Sequence, residues 1–277
     1  MPTPRKISGY TVLSHIGEGA HSAIYAVQDP KTKQVWALKH IEINDEKEQR
    51  FFEQAQREYA IGSKLSHPGI RQLRKFIRHR KKFKVVGASL LMEFIDSTTL
   101  DQQLPRTTED AVGIFLQVAE ALGHMHEKGF VHADMKPTNV LIMEDGIVKV
   151  IDLGQACATG TIKKRIQGTP GYMAPEQAQR QAIDARTDIF NLGAMMYWVL
   201  VREVIPTAMP PQGGDAALMT TRDLEQVPAP TPPHEANSRI SQALSDLVLD
   251  CVAMDADDRP SSMLEVITTL THIQTQR

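Results

Sequence analysis

Only two cysteines, Cys157 and Cys251, occur in 277 residues, and they lie far apart. That excludes a disulfide framework and a cysteine-ligated zinc knuckle, and it suits a reducing cytoplasm. A secretory leader is lacking, because no apolar run succeeds Met1 to Lys6. No long hydrophobic span is present either: the longest, Ile189 to Val201, is interrupted by Asn191 and Gly193. It is too short to cross a bilayer and reads as a buried helix. The chain thus carries no membrane segment of its own; a sensor or membrane anchor beyond residue 277 of a longer protein stays compatible with it. Charge of one sign is lacking as well: the net charge is −2, which implies no global pull toward nucleic acid or membrane. No internal repeat stands out. What is present is ordinary for a soluble globular protein, with 42% hydrophobic and 23% charged residues, enough for one large domain or two lobes.

The chemistry concentrates in Val131 to Asn139, where Asp134, Lys136 and Asn139 are polar residues just ahead of the apolar run Val140-Leu141-Ile142. A second strand-like run, Ile147 to Ile151, leads into Asp152-Leu153-Gly154. Two carboxylates and an amide therefore stand at the ends of an expected hairpin. A base, a metal-binding carboxylate and a metal-binding amide are what phosphoryl transfer requires; a polar loop capping a hairpin is the competing reading.

Upstream, residues 10 to 42 alternate like three strands with tight turns. Gly17 and Gly19 separate the first two, a spacing that lets backbone N–H groups approach phosphate oxygens, or that simply makes a turn. Ser22 stands where a third glycine would complete the pattern. Lys39 lies among apolar neighbours in the third strand. Burial there is costly unless an anion meets the amine, the alternative being a packed stem with its head in water. Residues 45 to 65 read as a helix that ends at Ser66-His67-Pro68-Gly69; Glu58 is the expected partner of Lys39, ahead of Glu53, and Gly62 falls inside the helix. Residues 71 to 84 hold Arg71, Arg74, Lys75, Arg78, Arg80, Lys81, Lys82 and Lys84. They read as a solvated strand-turn-strand, or as a docking patch for an acidic partner; aromatic interleaving (Phe76, Phe83) is too thin for nucleic-acid binding. From Ser97 the chain turns helical, with apolar spacing over Ala111 to Lys128 and buried-helix character from Asp188. A loop-like region over Pro206 to Glu235 includes the proline-rich Val227 to Pro233.

Taken in order, Gly17-x-Gly19, Ala37-Leu38-Lys39, Glu58, His132-Ala133-Asp134 with Asn139, Asp152-Leu153-Gly154, Ala174-Pro175-Glu176, Asp188 with Gly193, and Arg259 resemble the eukaryotic-type protein kinase family over about residues 10 to 272. The bacterial serine/threonine kinases are the most similar group. The resemblance implies an α+β, bilobal fold: a small β-rich N-lobe over residues 1–95 and a larger helical C-lobe over 96–277. It implies transfer of the γ-phosphoryl of Mg-ATP, with Mn²⁺ as an alternative ion, to serine/threonine hydroxyls of protein substrates.

Carried over residue by residue, Gly17 and Gly19 cover the phosphates and Lys39, held by Glu58, binds them. Met92 is the gatekeeper, the backbones of Glu93 and Ile95 meet the adenine edge, and Ile16, Ile24, Ala37 and Leu141 complete the nucleotide site. Asn139 and Asp152 hold the metal, Asp134 is the base, and Lys136 sits on the γ-phosphate; with Thr169 it favours serine/threonine acceptors. Glu176 pairs with Arg259 and Asp188 braces the catalytic-loop backbone; these three are scaffold. Ala133 replaces the arginine that usually anchors an activation-loop phosphate, so phosphorylation at Thr159 or Thr161 is expected to be dispensable, with Lys163-Lys164-Arg165 a second candidate site for an acidic partner or regulator. Gly62 stands where a large apolar residue usually links the helix to Leu153, so the helix is expected to need a partner or ligand to set it. Loss of Lys39, Asp134, Asn139 or Asp152 would mark a pseudokinase or scaffold; loss of the Thr169 to Glu176 segment would mark a small-molecule phosphotransferase. All are present.

Overall fold

A computed structural model describes residues 5–19, 21–43, 45, 48–206 and 227–276. The chain divides into two compact units, Met1–Ser66 with Ile70–Asp96, and His67–Gly69 with Ser97–Arg277.

The first unit is built on a six-stranded antiparallel sheet. Its strands are β1 (Lys6–Ile7), β2 (Tyr10–Gly19), β3 (Ser22–Gln28), β4 (Val35–Glu42), β5 (Leu73–Lys81) and β6 (Lys84–Glu93), in the order β1-β2-β3-β4-β6-β5. Period-2 alternation divides their side chains between two faces. Val27, Leu38 and Leu91 form a buried cluster with Ile7, ringed by Tyr10, Val12, Tyr25 and Trp36. Directly paired residues share a face, so the register Gly17↔Ile24↔Lys39↔Leu90 and Ala26↔Ala37↔Met92 puts Gly17, Ile24, Ala37, Lys39 and Met92 on one face. Helix α1 (Gln49–Gly62) lays Phe52 edge-on against Phe76 of β5, ring centroids 5.6 Å apart.

Two expectations for this unit are corrected. Strand β2 runs through Gly17 to Gly19, because the pairing with β3 continues to Gly19↔Ser22. The helix ends at Gly62, short of the expected 65, and so Gly62 is its last residue, where the entropic cost of an interior glycine does not fully apply.

The second unit is mainly helical. It contains α2 (Thr108–Glu127), α3 (Pro175–Ala178), α4 (Ala185–Val201), α5 (Pro233–Ala236), α6 (Gln242–Cys251) and α7 (Met263–Thr275). Thr107 caps α2 in a reciprocal box with Asp110, and Asp184 caps α4 through the Arg186 N–H. Helix α4 is buried nearly all round, as its mostly apolar sequence from Ile189 onward requires. Short strands tie the loops between helices: β7 (Thr98–Thr99), β9 (Val140–Ile142) and β10 (Val148–Val150) form one sheet, β8 (Phe130–Val131) pairs with β11 (Cys157–Ala158), and β12 (Thr161–Ile162) pairs with β13 (Ala182–Ile183). Ser97 to Leu100 therefore opens with a strand rather than a helix, because Thr98 and Thr99 complete the edge of β9. The expected loop from Pro206 to Glu235 closes with the one-turn α5, which Pro233 starts at its first position; residues 207–226 lie outside the described residues. Among the described residues no helix is long and apolar enough to cross a membrane.

Candidate active site

In the first unit, Lys39 Nζ donates to Glu58 Oε2 at 2.8 Å, with the lysine side chain 17% exposed and the glutamate 3%. The expected pair thus forms, in preference to Glu53. Gly17 has open space where a Cβ would stand, whereas at Gly19 a Cβ would come within 2.7 Å of Ser22 Oγ. A turn of the Ser22 hydroxyl would relieve that contact, and the backbone Ser22 oxygen is 4.0 Å away, so packing requires neither glycine. Ile16 is the extra residue of a bulge in β2 and is 45% exposed. Met92 is buried beside Ala37, and the Glu93 N–H donates to the Gln72 carbonyl at 2.9 Å. Ile95 is buried just beyond β6. His21, in the β2–β3 turn, stacks on Phe51 at the start of α1, centroids 4.2 Å apart.

In the second unit the nine-residue stretch is braced from beneath. Asp188, in the first turn of α4 and fully buried, accepts from the His132 and Ala133 N–H groups, both at 2.8 Å, and pairs with His126 Nε2 at 2.8 Å. These bonds hold Ala133 at φ +60°, a conformation costing a non-glycine residue about 1 kcal/mol. His132 links the two motifs. Its Nδ1 accepts from the Asp134 N–H (3.3 Å), which leaves the Nε2–H to donate to the Ile151 carbonyl (3.2 Å), beside Asp152. Asn139 Nδ2 donates to the Asp134 carbonyl at 2.8 Å, and the Ile151 N–H donates to the Asn139 carbonyl at 2.9 Å. Asp152 also adopts a left-handed conformation, φ +63°, and its Oδ1 accepts from the Gly154 N–H. Leu141 is buried on β9, opposite Lys149.

Three side chains then close a ring. Thr169 Oγ1 donates to Asp134 Oδ1 at 2.8 Å and accepts from Lys136 Nζ at 2.8 Å, while Lys136 Nζ lies 3.1 Å from Asp134 Oδ2. A hydroxyl is thus held with its proton on a carboxylate oxygen and its lone pair facing an ammonium.

The segment after Asp152 is fastened by backbone pairing and apolar packing. Thr159 N–H donates to the Gly129 carbonyl and Gly160 N–H to that of Ile183. Ala133, Val131, Cys157 and Ile183 form one buried cluster. Burial pushes the Cys157 thiol up, away from a reactive thiolate. Lys163 Nζ donates to the Gln155 carbonyl at 2.5 Å. Burial, then the Asp101 charge, pushes the Tyr172 hydroxyl up to about 12.

Several contributors gave no signal in the sequence. Gln177 donates through Nε2 to the Ala133 carbonyl (2.9 Å) and the Gln167 carbonyl (3.1 Å), and its Oε1 accepts from Ala174 N–H and Asn191 Nδ2. His126 and Thr187, which donates to Glu176 Oε1 at 2.7 Å, are equally silent. Only a contact across the fold defines them; the position of Gln177 directly after Ala-Pro-Glu was the nearest hint.

Residues 10–272 match the family model of the protein kinase domain. This chain belongs to that family. The kinase domain is 28% identical to serine/threonine-protein kinase PknB of Mycolicibacterium smegmatis, over 99% of this chain and 44% of the relative. It is 29% identical to a probable serine/threonine-protein kinase of Streptomyces coelicolor (96% and 40%) and 26% identical to one of Clostridium perfringens (96% and 38%). The kinase domain thus spans less than half the length of these relatives. Its N-terminal sheet and C-terminal helices agree with the α+β fold of the family.

Proposed function

We propose that this domain is an active serine/threonine protein kinase that uses Mg-ATP, with residues 1–95 serving the nucleotide and residues 96–277 carrying the catalytic loop, metal ligands and peptide-binding segment. One observation carries the reading: the Thr169 hydroxyl held between Asp134 and Lys136 stands in the relation a substrate hydroxyl needs to its base and to a cation. In that role Asp134 orients the acceptor hydroxyl and takes its proton as oxygen bonds to the γ-phosphorus and the bond to ADP breaks. Lys136 steadies the charge on the transferred group. Asn139 and Asp152 offer an amide and a carboxylate oxygen, hard donors suited to Mg²⁺ that keeps waters and phosphate oxygens as its other ligands. The bound metal would neutralise charge on the transferring phosphoryl.

Open space at Gly17 fits a phosphate approaching the backbone, and Lys39, oriented by Glu58, is the cation for it. Ile16, Ile24, Ala37, Met92, Leu141 and the backbones of Glu93 and Ile95 form the adenine site in this reading. Two buried free thiols suit action in a reducing cytoplasm.

We further infer that the kinase works without a phosphate on Thr159 or Thr161. With Ala133 inside an apolar cluster, the loop segment is fixed by strand pairing where an arginine–phosphate contact would otherwise be needed. A nucleotide-binding scaffold without transfer is disfavoured because Lys39, Asp134, Asn139 and Asp152 are all retained.

The test is incorporation of labelled phosphate from Mg-ATP into protein substrate, wild type against Asp134→Asn. The variant should lose about 10²- to 10⁴-fold. Equal incorporation by both proteins would overturn the assignment of Asp134.

A further inference from the structure

We propose that the β5–β6 hairpin is a docking tip for an anionic lipid surface. The hairpin turns at Lys82 and Phe83, with Lys81 paired to Lys84 across the turn. Phe83 is 101% exposed, so its ring stands wholly in water at the apex. Arg80, Lys81, Lys82 and Lys84 surround it, all exposed. Among the described residues none of these four has a carboxylate within ion-pair distance.

Edge-strand protection explains part of this, since β5 ends the sheet and charges along an edge discourage pairing with another chain. It does not explain a bare aromatic ring at the tip. Turn chemistry does not explain the apex either. Lys82 adopts φ +55°, where glycine or asparagine would make the turn more readily. A cation and a ring are kept at the two turn positions in spite of local preference.

The shape and charge point to a membrane rather than an acidic protein. A convex apex offers no wall for a peptide to lie against, and a protein partner would need a pocket cut to the ring. A headgroup layer deforms around it: the ring enters the acyl boundary while the lysine stems lie along it and their ammonium groups stay among phosphates. The charge distribution also sets orientation. Residues 71–84 carry eight cations and no acid, and the whole chain is at −2, which leaves −10 on the remainder. An anionic leaflet attracts this edge and repels the rest of the chain. The apex, Arg80 to Lys84, holds none of the residues assigned to catalysis or to the nucleotide, and Met92 and Glu93 lie at the opposite end of β6, so docking at the tip and catalysis are separable.

The experiment is co-sedimentation of the full chain with phosphatidylcholine vesicles, with and without phosphatidylserine, at low and high salt. Binding should require phosphatidylserine and weaken with salt. Lys82→Ala and Lys84→Ala should each weaken partitioning about fivefold. Phe83→Ser should weaken it severalfold, and Phe83→Trp should give a blue-shifted emission on phosphatidylserine vesicles above the Trp36 and Trp198 background. All four variants should keep the wild-type urea midpoint and wild-type phosphorylation of a soluble substrate. No sedimentation with phosphatidylserine overturns the proposal. So does binding that is indifferent to Phe83 and is abolished by poly-glutamate, which would reassign the hairpin to acidic proteins.

Discussion

Two buried ion pairs, one in each unit, look alike as contacts and differ in what surrounds them. Arg259 meets Glu176 in a fork, with Nη1 to Oε1 at 2.9 Å and Nη2 to Oε2 at 3.0 Å. Its remaining donors reach the backbone carbonyls of Ala253, Arg186 and Met254, and its plane lies 4.9 Å from the Phe190 ring centroid. Nothing is left for a ligand. Lys39 meets Glu58 through Nζ and Oε2 at 2.8 Å, and the lysine side chain is 17% exposed on a sheet face shared with the open space at Gly17. A planar guanidinium saturated by protein is a rivet; a compact ammonium on an open face is a tool. Burial of the carboxylate alone does not separate structure from function; the shape of the cation and its exposure, 0% for Arg259 against 17% for Lys39, do.

The contrast is largest at the rivet. Arg259→Met leaves the buried Glu176 carboxylate without its cation, and stability should fall by about 3–5 kcal/mol, read as the urea midpoint. The double variant Arg259→Met/Glu176→Met should recover much of that loss, because no lone charge remains. If the single variant costs under about 1 kcal/mol, the pair is not the structural element described.

At Lys39 the outcome should invert. Glu58→Gln keeps the shape of α1 and lets the amine turn toward water, so stability should fall by only about 1 kcal/mol. Activity should drop on the order of 10²-fold, the scale of a misplaced phosphate-binding group. A midpoint that falls as far as in Arg259→Met would erase the distinction.

The loop segment gives a smaller effect. Thr159→Ala/Thr161→Ala should retain activity within about tenfold, about 1.4 kcal/mol in barrier. Cys157→Asp, which places a charge in the apolar cluster around Ala133, should cost more than that double change. The reverse order would restore the usual role of a loop phosphate.

How much of this was legible in the sequence depends on the range of each interaction. Lys39 with Glu58, and Glu176 with Arg259, could be named because motif order fixes partners far apart in sequence. The helix and strand types came from apolar periodicity, but boundaries did not. Thr98 and Thr99 became a strand because β9 offered an open edge, a fact located in residues 140–142. Strand β2 continued past Gly17 because β3 kept pairing with it. Ala133 was legible as a missing arginine, yet what replaced it was not: Cys157 and Ile183 sit 24 and 50 residues later and carry no motif. The Gln177 bonds and the imidazole of His126 under the catalytic loop were invisible for the same reason, being polar residues whose meaning is a contact.

The smallest expected effect separates the two units by proton uptake. Each holds a histidine pair: His79 lies against His40 in the first, ring centroids 5.1 Å apart, and His67 against His124 in the second, 5.3 Å apart. Burial first, and then the neighbouring imidazole, holds both His79 and His67 below the ordinary 6.5, with Glu42 opposing at His79 and Glu120 and Glu127 opposing at His67. Lys149 adds to the lowering at His67. His67 Nδ1 also accepts the Gly69 N–H at 3.0 Å, a bond that protonation there removes. Below pH 6.5 the unfolded chain therefore binds protons that the folded histidines resist. Stability is fully present above 6.5 and declines as pH falls toward the lowered folded values. Urea midpoints should drop between about pH 7 and pH 5, where histidine titrates. His67→Asn should flatten that slope for the helical unit and His79→Asn for the sheet unit, read by hydrogen exchange in α2 and β6. A slope unchanged in both variants would place the acid sensitivity in the carboxylates instead.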